Sequence, residues 1–208
     1  MVVPGAEYTA PVAVRGDERS VAPSDWELVQ RARQGDRDAF RELVERYQRR
    51  IAALALGFVR SREDALDIVQ ETFTKAYQNL DRFKGDSQFY TWVYRIAYNL
   101  CVDHRRRELK QPLVSIDADA SGAERPPLRD ESHDDQPFER VRSAEIGQRV
   151  RDAIAGLTAD HRAVILLREV EGLSYEEISQ VLECPKGTVM SRLHYARRQL
   201  QARLRGLL

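Results

Sequence analysis

A chain of 208 residues, 42% hydrophobic and 32% charged, is long enough for one or two domains with real cores, which excludes a chain disordered throughout. Lys plus Arg and Asp plus Glu both total 33, so the net charge of +0 points to no polyanion partner until charge is mapped along the sequence. Cys101 and Cys184 stand far apart with no CxxC or Cys/His spacing for zinc, and no apolar run approaches a bilayer span; the expectation is a reducing, cytoplasmic location, with any membrane role reached through a partner.

Residues 1–23 carry Pro4, Gly5, Pro11, Gly16 and Pro23 without helical periodicity and read as a disordered tail. Ser24-Asp25-Trp26-Glu27 is a capping box that opens a first helix, Trp26 to Gln34, and Gly35-Asp36 reads as a stop and restart. Phe40, Leu43, Val44, Tyr47, Ile51, Leu54 and Phe58 then recur at three-and-four spacing. Ser61-Arg62-Glu63-Asp64 caps a third helix carrying Ala65, Ile68, Val69, Phe73, Ala76, Tyr77 and Leu80. After a loop at Lys84-Gly85-Asp86-Ser87, a fourth presents Phe89, Trp92, Val93, Ile96, Ala97, Leu100 and Cys101.

From Gln111 to Arg142 the periodicity fails, prolines accumulate and acids outnumber bases, which predicts an extended, flexible acidic linker. Helical pattern resumes through Ile146, Val150, Ile154 and Leu157, and again through Val164, Ile165, Leu167 and Val170. No alternating strand pattern competes. The expected class is all-α: two small helical domains, 24–110 and 143–208, joined by the linker.

The C-terminal part carries the first chemical signal. Ser174-Tyr175-Glu176-Glu177 is a capping box for a short helix with Ile178, Val181 and Leu182, Glu183-Cys184-Pro185 ends it, and Pro185 suits the first turn of the next helix. No acid follows Glu183, whereas Lys186, Arg192, Arg197, Arg198, Arg203 and Arg205 do, with Val189 and Leu193 placed to pack back. Helix, tight turn and basic helix read as a helix-turn-helix whose second helix enters the major groove, with Arg203 on phosphate; the plainer alternative is a solvated Arg-rich helix end.

The second signal lies in the first domain. Phe83, Phe89, Tyr90, Trp92, Tyr94 and Tyr98 crowd one loop and one helix that ends in His104-Arg105-Arg106-Arg107, a pairing of rings and cations suited to single-stranded nucleic acid. Phe89, Trp92, Val93 and Ile96 sit at core spacing, whereas Tyr90, Tyr94 and Tyr98 form a second stripe that a core does not require and that is open to functional exposure.

Three blocks carry a resemblance: Asp64-Ala65-Leu66-Asp67-Ile68-Val69-Gln70-Glu71-Thr72-Phe73; Phe83-Lys84-Gly85-Asp86-Ser87-Gln88-Phe89-Tyr90-Thr91-Trp92; and Leu173-Ser174-Tyr175-Glu176-Glu177-Ile178 with Gly187-Thr188-Val189. In this order they resemble the extracytoplasmic-function sigma factors of bacterial RNA polymerase, with Trp26 to Lys110 similar to region 2 and about Ser143 to Arg205 to region 4. The resemblance implies binding to core polymerase, through the clamp helices of its largest subunit and the flap of the second-largest, and promoter-specific initiation in a stress or envelope response. It implies control by an anti-sigma factor, membrane-bound in some relatives.

By motif match, Asp64, Asp67, Gln70 and Glu71 fall on the polymerase-docking helix, whose plainer reading is a solvated acidic face. Phe83, Lys84, Gly85, Asp86, Ser87 and Gln88 match the loop that captures a flipped minus-ten base, with Tyr90, Asn99, Arg105 and Arg106 in support. Lys186, Thr188, Met190, Ser191, Arg192, His194, Tyr195, Arg197 and Arg198 match the helix that reads the minus-thirty-five duplex. Met190 and Tyr195 depart from positions where relatives often carry basic residues, and His194 replaces a frequent aromatic. Tyr and Met cannot fork onto a guanine, so that element is expected to be read through shape or to be changed.

A conventional helix-turn-helix regulator is the alternative, and it leaves the Asp64 to Phe73 block without a role. A nuclease is the other class. No cofactor or metal set is expected: Asp103 and His104 are adjacent and point apart on a helix, and His161 has only Asp160 beside it.

Overall fold

The computed structural model describes residues 22–59, 61–110 and 137–205, and every regular element among them is helical. In chain order these are α1 (Asp25–Arg33), α2 (Arg37–Leu56), α3 (Arg62–Gln78), a 3-10 turn (Leu80–Arg82), α4 (Phe89–Lys110), α5 (Pro137–Ala155), α6 (Ala159–Ile165), a π-helical turn (Leu166–Val170), α7 (Tyr175–Leu182) and α8 (Lys186–Leu204). Of the tail expected over 1–23 and the linker expected over 111–142, residues 1–21 and 111–136 lie outside the described residues. Among the described residues no helix is long and apolar enough to cross a membrane.

Local signals set the helix starts. Ser24 Oγ accepts from Glu27 N at 3.3 Å while the Glu27 carboxylate accepts from Ser24 N at 2.7 Å, so the box satisfies two otherwise orphaned donors of α1. Gly35, at φ +94°, turns the chain, and Asp36 accepts from Asp38 N and Ala39 N to start α2. Ser61 caps α3 through Asp64 N at 2.9 Å, and Ser174 with Glu177 repeats the reciprocal box at α7.

Several boundaries differ from the sequence expectation: α2 ends at Leu56, short of Phe58, and α3 at Gln78, with Leu80 in the 3-10 turn. Helix α5 begins at Pro137, inside the stretch read as linker to Arg142, because a proline at the first helical position surrenders no hydrogen bond; it was weighed there as a breaker. Pro185 is the N-cap of α8 and not part of its first turn.

Helices α1 to α4 pack around Leu28, Leu43, Ile51, Leu54, Phe89 and Val93, and α5 to α8 around Leu157, Val164, Leu167, Ile178, Val189 and Leu193. The two groups also close on each other in one continuous apolar core, with α4 against α7. A Cβ at Gly57 would overlap the Leu166 side chain, so glycine there permits the close approach of α2 to the π-helical turn.

The polar part of this seam corrects the reading of the tyrosine stripe. Tyr94 is fully buried and donates to the Glu171 carboxylate, Tyr90 is half-buried and donates to Glu177, and Tyr98 is half-buried. Arg50 completes the group: its Nε reaches Glu171 Oε2 at 2.8 Å and its guanidinium lies 5.9 and 5.7 Å from the Tyr90 and Tyr94 ring centroids. The stripe is therefore neither a domain core nor a free stacking surface; it receives the second helical group. A single-helix pattern could not reveal this, since the acceptors are 77 and 87 residues away.

Arg162 ties the seam from the other side. It is 3% exposed and donates to Ile154 O (3.2 Å), Ala155 O, Leu157 O (3.2 Å) and Gly57 O (3.1 Å). Burial, with a lesser push from Arg105, pulls its pKa down to about 10, so it stays a cation at neutral pH and sits on the carbonyl ends of both α5 and α2.

Candidate nucleic-acid interface

The loop from Phe83 to Gln88 joins the 3-10 turn to α4, and α1 braces it. The Arg33 guanidinium donates to Leu80 O at 3.1 and 2.9 Å, to Asp81 O at 3.5 Å and to Phe83 O, so one cation gathers the carbonyls that enter the loop. Gly85 sits at φ +81° with the Trp26 indole against it: an added Cβ would come within 2.9 Å of the ring. Both conditions select glycine there.

Within the loop Lys84, Gly85, Asp86 and Gln88 are exposed and Ser87 is half-buried. Phe83 itself is buried, edge-on to Phe89 at 5.8 Å and tilted against Trp92 at 5.3 Å, so its ring forms the floor of the loop. Asn99 is exposed on α4, Arg105 half-buried, and Arg106 exposed near Asp103 at 3.8 Å. The Tyr90 hydroxyl donates to Glu177 on α7. Burial opposes ionisation of Glu177, but the bonds from Tyr90 and Ser174 outweigh it and hold its carboxyl below the ordinary value.

On α3, Asp67, Gln70 and Glu71 are exposed, together with Leu66, which is 52% exposed. Glu71 meets only a surface partner, Lys75 at 3.1 Å. Asp64 stands apart: it accepts from Ser61 Oγ at 2.7 Å, and its Oδ1 lies 3.3 Å from His104 Nε2, which sets the start of α3 beside α4.

The second helix of the α7–α8 pair buries Val189, Leu193 and Ala196, leaving Lys186, Met190, Ser191, His194, Tyr195, Arg197 and Arg198 exposed and Thr188 half-buried. His194 and Tyr195 meet edge-on at 5.5 Å. Three of the cations are held by carboxylates: Lys186 by Glu176, Arg192 by Asp160 at 2.5 Å, and Arg197 by Glu169 at 2.6 and 3.0 Å. Exposed pairs of this kind contribute only about 0–1 kcal/mol, so phosphate can displace them. Arg192, with about a quarter of its side chain exposed, is the most committed to the protein.

Arg203, expected on phosphate, is exposed and also meets the protein. Its Nη1 donates to Ala153 O at 3.0 Å and its guanidinium lies over Gly156, clamping the end of α5 to α8. Arg203→Ala is expected to cost about 1–2 kcal/mol of stability and to leave the salt slope of duplex binding unchanged. Arg198→Ala should leave the melting temperature in place and lower that slope by roughly 1. Thermal melts beside salt titrations of duplex binding distinguish the two.

Trp26 and Arg33 are the residues that sequence reasoning passed over. Trp26 was read only as part of a helix start, and no local signal links Arg33 to carbonyls 47 to 50 residues away.

Comparison with known proteins agrees with this arrangement. The family model for Sigma-70 region 2 matches residues 43–111 and that for Sigma-70 region 4 matches 147–200. The chain is similar to the ECF RNA polymerase sigma-E factor of Haemophilus influenzae, at 41% identity over 186 residues covering 89% of this chain and 97% of that one. It is likewise similar to the ECF RNA polymerase sigma-E factor of Escherichia coli strain K12, at 42% identity over 189 residues, 89% of this chain and 96% of the other.

Among solved structures, CnrH in complex with the cytosolic domain of CnrY matches with a TM-score of 0.64 at 28% identity, over 88% of this chain and 97% of that one. The sigma factor RpoE in complex with the anti-sigma factor NepR from Bartonella quintana matches with a TM-score of 0.60 at 26% identity, over 80% and 97%.

Proposed function

The chain belongs to the sigma-70 family as an ECF-type RNA polymerase sigma factor, a transcription initiation factor, and from that membership we propose how its surfaces divide the work. The α3 face docks on core polymerase, the Phe83 to Gln88 loop with Asn99 takes the opened minus-ten strand, and α8 reads the minus-thirty-five duplex. The protein works in the cytoplasm, performs no chemistry of its own, and supplies positioning while the polymerase supplies catalysis.

The observation that carries this division is that the three surfaces lie on different elements, each exposed, while the residues around them are committed to structure. Leu66 among Asp67, Gln70 and Glu71 supports a protein partner for α3, because an exposed leucine within an acidic face gains by burial against another protein and not against DNA. The exposed loop over an aromatic floor suits an extruded base, whose unstacking costs a few kcal/mol and is offset by a fitted pocket. On α8, exposed Met190 and Tyr195 favour contact with thymine methyl groups over guanine recognition.

An anti-sigma factor is the proposed negative regulator. Its support is the likeness to the RpoE sigma factor in complex with NepR, together with the closed seam, which keeps Tyr90 on Glu177. A partner that stabilises this closed arrangement withholds the two DNA-reading domains from their separate elements.

The docking assignment is tested by Asp67→Lys with Glu71→Lys. Both side chains are exposed, so the double variant should melt like the parent to within about 0.5 kcal/mol. Its affinity for core polymerase should fall roughly tenfold to a hundredfold, because like charge is placed in a protein interface. Unchanged core affinity would remove α3 from the docking surface.

A further inference from the structure

We propose that the Trp26 indole is a second base-binding platform of the minus-ten site, stacking an unpaired base next to the one held by the Phe83 to Gln88 loop. The inference rests on the assignment of that loop to the opened strand and adds to it a residue outside the matched region 2 segment, 43–111.

Trp26 is 45% exposed although the indole is one of the largest apolar groups in the chain. Its exposure is not that of a mobile surface ring. The Arg33 guanidinium lies 5.7 Å from the ring centroid, Phe83 is tilted against it at 6.1 Å, and Gly85 packs on its six-membered ring. Arg33 is in turn fixed by the carbonyls of Leu80, Asp81 and Phe83, so indole and loop form one rigid body.

A pre-oriented aromatic face beside a strand-binding loop is what stacking requires, since little ordering remains to be done when the base arrives. The charges nearest the ring are mixed. Arg33 lies beside the indole, exposed Lys84 and exposed Asp86 bracket Gly85 in sequence, and the acids of α1 are occupied: Asp25 by Arg46 at 3.0 Å and by Tyr47, Glu27 by Ser24. The plain alternative, an aromatic that merely props the loop, needs no exposed surface and predicts a loss on all DNA alike.

The test uses the holoenzyme and a fork-junction DNA whose non-template strand is unpaired across the minus-ten element, with single abasic residues placed in turn along that strand. Trp26→Ala should bind the intact fork about tenfold more weakly, as for loss of one stacked base, and Trp26→Phe should retain most of the affinity. The Trp26→Ala defect should vanish at one abasic position, adjacent to the position at which the Asn99→Ala defect vanishes.

A Trp26→Ala loss that is the same at every abasic position assigns the ring to propping the loop and overturns the proposal. If Asn99→Ala weakens binding and Trp26→Ala does not, the platform alone is overturned. If neither variant weakens binding, the loop assignment beneath it falls as well.

Discussion

Replacing Arg162 with methionine is expected to lower the unfolding free energy by about 3–5 kcal/mol, the largest effect of any single change outside the apolar core. Methionine keeps an unbranched stem against Phe58, whose ring the guanidinium approaches at 5.8 Å, so little packing is lost. What disappears is the donor set for four carbonyls, at the ends of α5 and α2, in a site with 3% exposure.

Ile154 O keeps the Leu157 amide as a donor at 3.0 Å, whereas each of the other carbonyls left without a donor costs about 1–3 kcal/mol, with partial relaxation lowering the sum. Burial disfavours the charged form of Arg162 and lowers its pKa, and the carbonyl contacts offset that cost. Arg162→Lys should recover only part of the loss, because an ammonium cannot span acceptors on two helix ends. Calorimetry of the three proteins decides: a shift below about 3 °C for Arg162→Met, corresponding to roughly 1 kcal/mol in a chain of this size, would contradict the clamp.

The second large effect concerns promoter opening. Gly85→Val combines a φ of +81° with an indole 2.9 Å from the new Cβ, so the loop must move; Asn99→Ala removes an exposed amide without disturbing any packing. Both variants are expected to bind core polymerase within about twofold of the parent. Open complexes on duplex promoters should fall roughly tenfold to a hundredfold, the share of a few kcal/mol that capture of a flipped base contributes.

On a template already mismatched across the minus-ten element the defect should shrink but persist, since unpairing is supplied while the capture contacts are still missing. Permanganate reactivity measured beside a core-binding titration is the check. Normal opening in both variants, or an equal loss of core affinity, would place these residues elsewhere in the mechanism.

Much of this fold was legible in the sequence because its signals are local. Reciprocal boxes at Ser24 and Ser174, the Gly35-Asp36 restart and the Ser61 cap each act within four residues, and the three-and-four spacing marks the buried faces of α2, α3 and α4. The residues of the α3 face and the loop came instead from the family resemblance, and the structure leaves Asp67, Gln70, Glu71, Lys84, Gly85, Asp86 and Gln88 exposed. Sequence-distant partners were not legible. Tyr94 reads as a stripe residue until Glu171 arrives, Arg33 as a helix-end cation until three carbonyls are gathered on it, and Arg203 as a phosphate contact alone until its Nη1 donates to Ala153 O. Charge on a helix face says that a side chain is polar; only the fold says whether protein or nucleic acid is its partner.

The most direct test of the account is transcription by purified core RNA polymerase with and without this chain on a random-insert promoter library, with start sites read by sequencing the transcripts. The account predicts that initiation depends on the chain, and that selected templates share two separated elements upstream of the start, one opened and one duplex. Gly85→Val should abolish selection at the downstream element, and Tyr195→Arg should change one base pair of the upstream element by about 1–3 kcal/mol of preference. Initiation independent of the chain, or selection of a single palindromic site bound without polymerase, would contradict it.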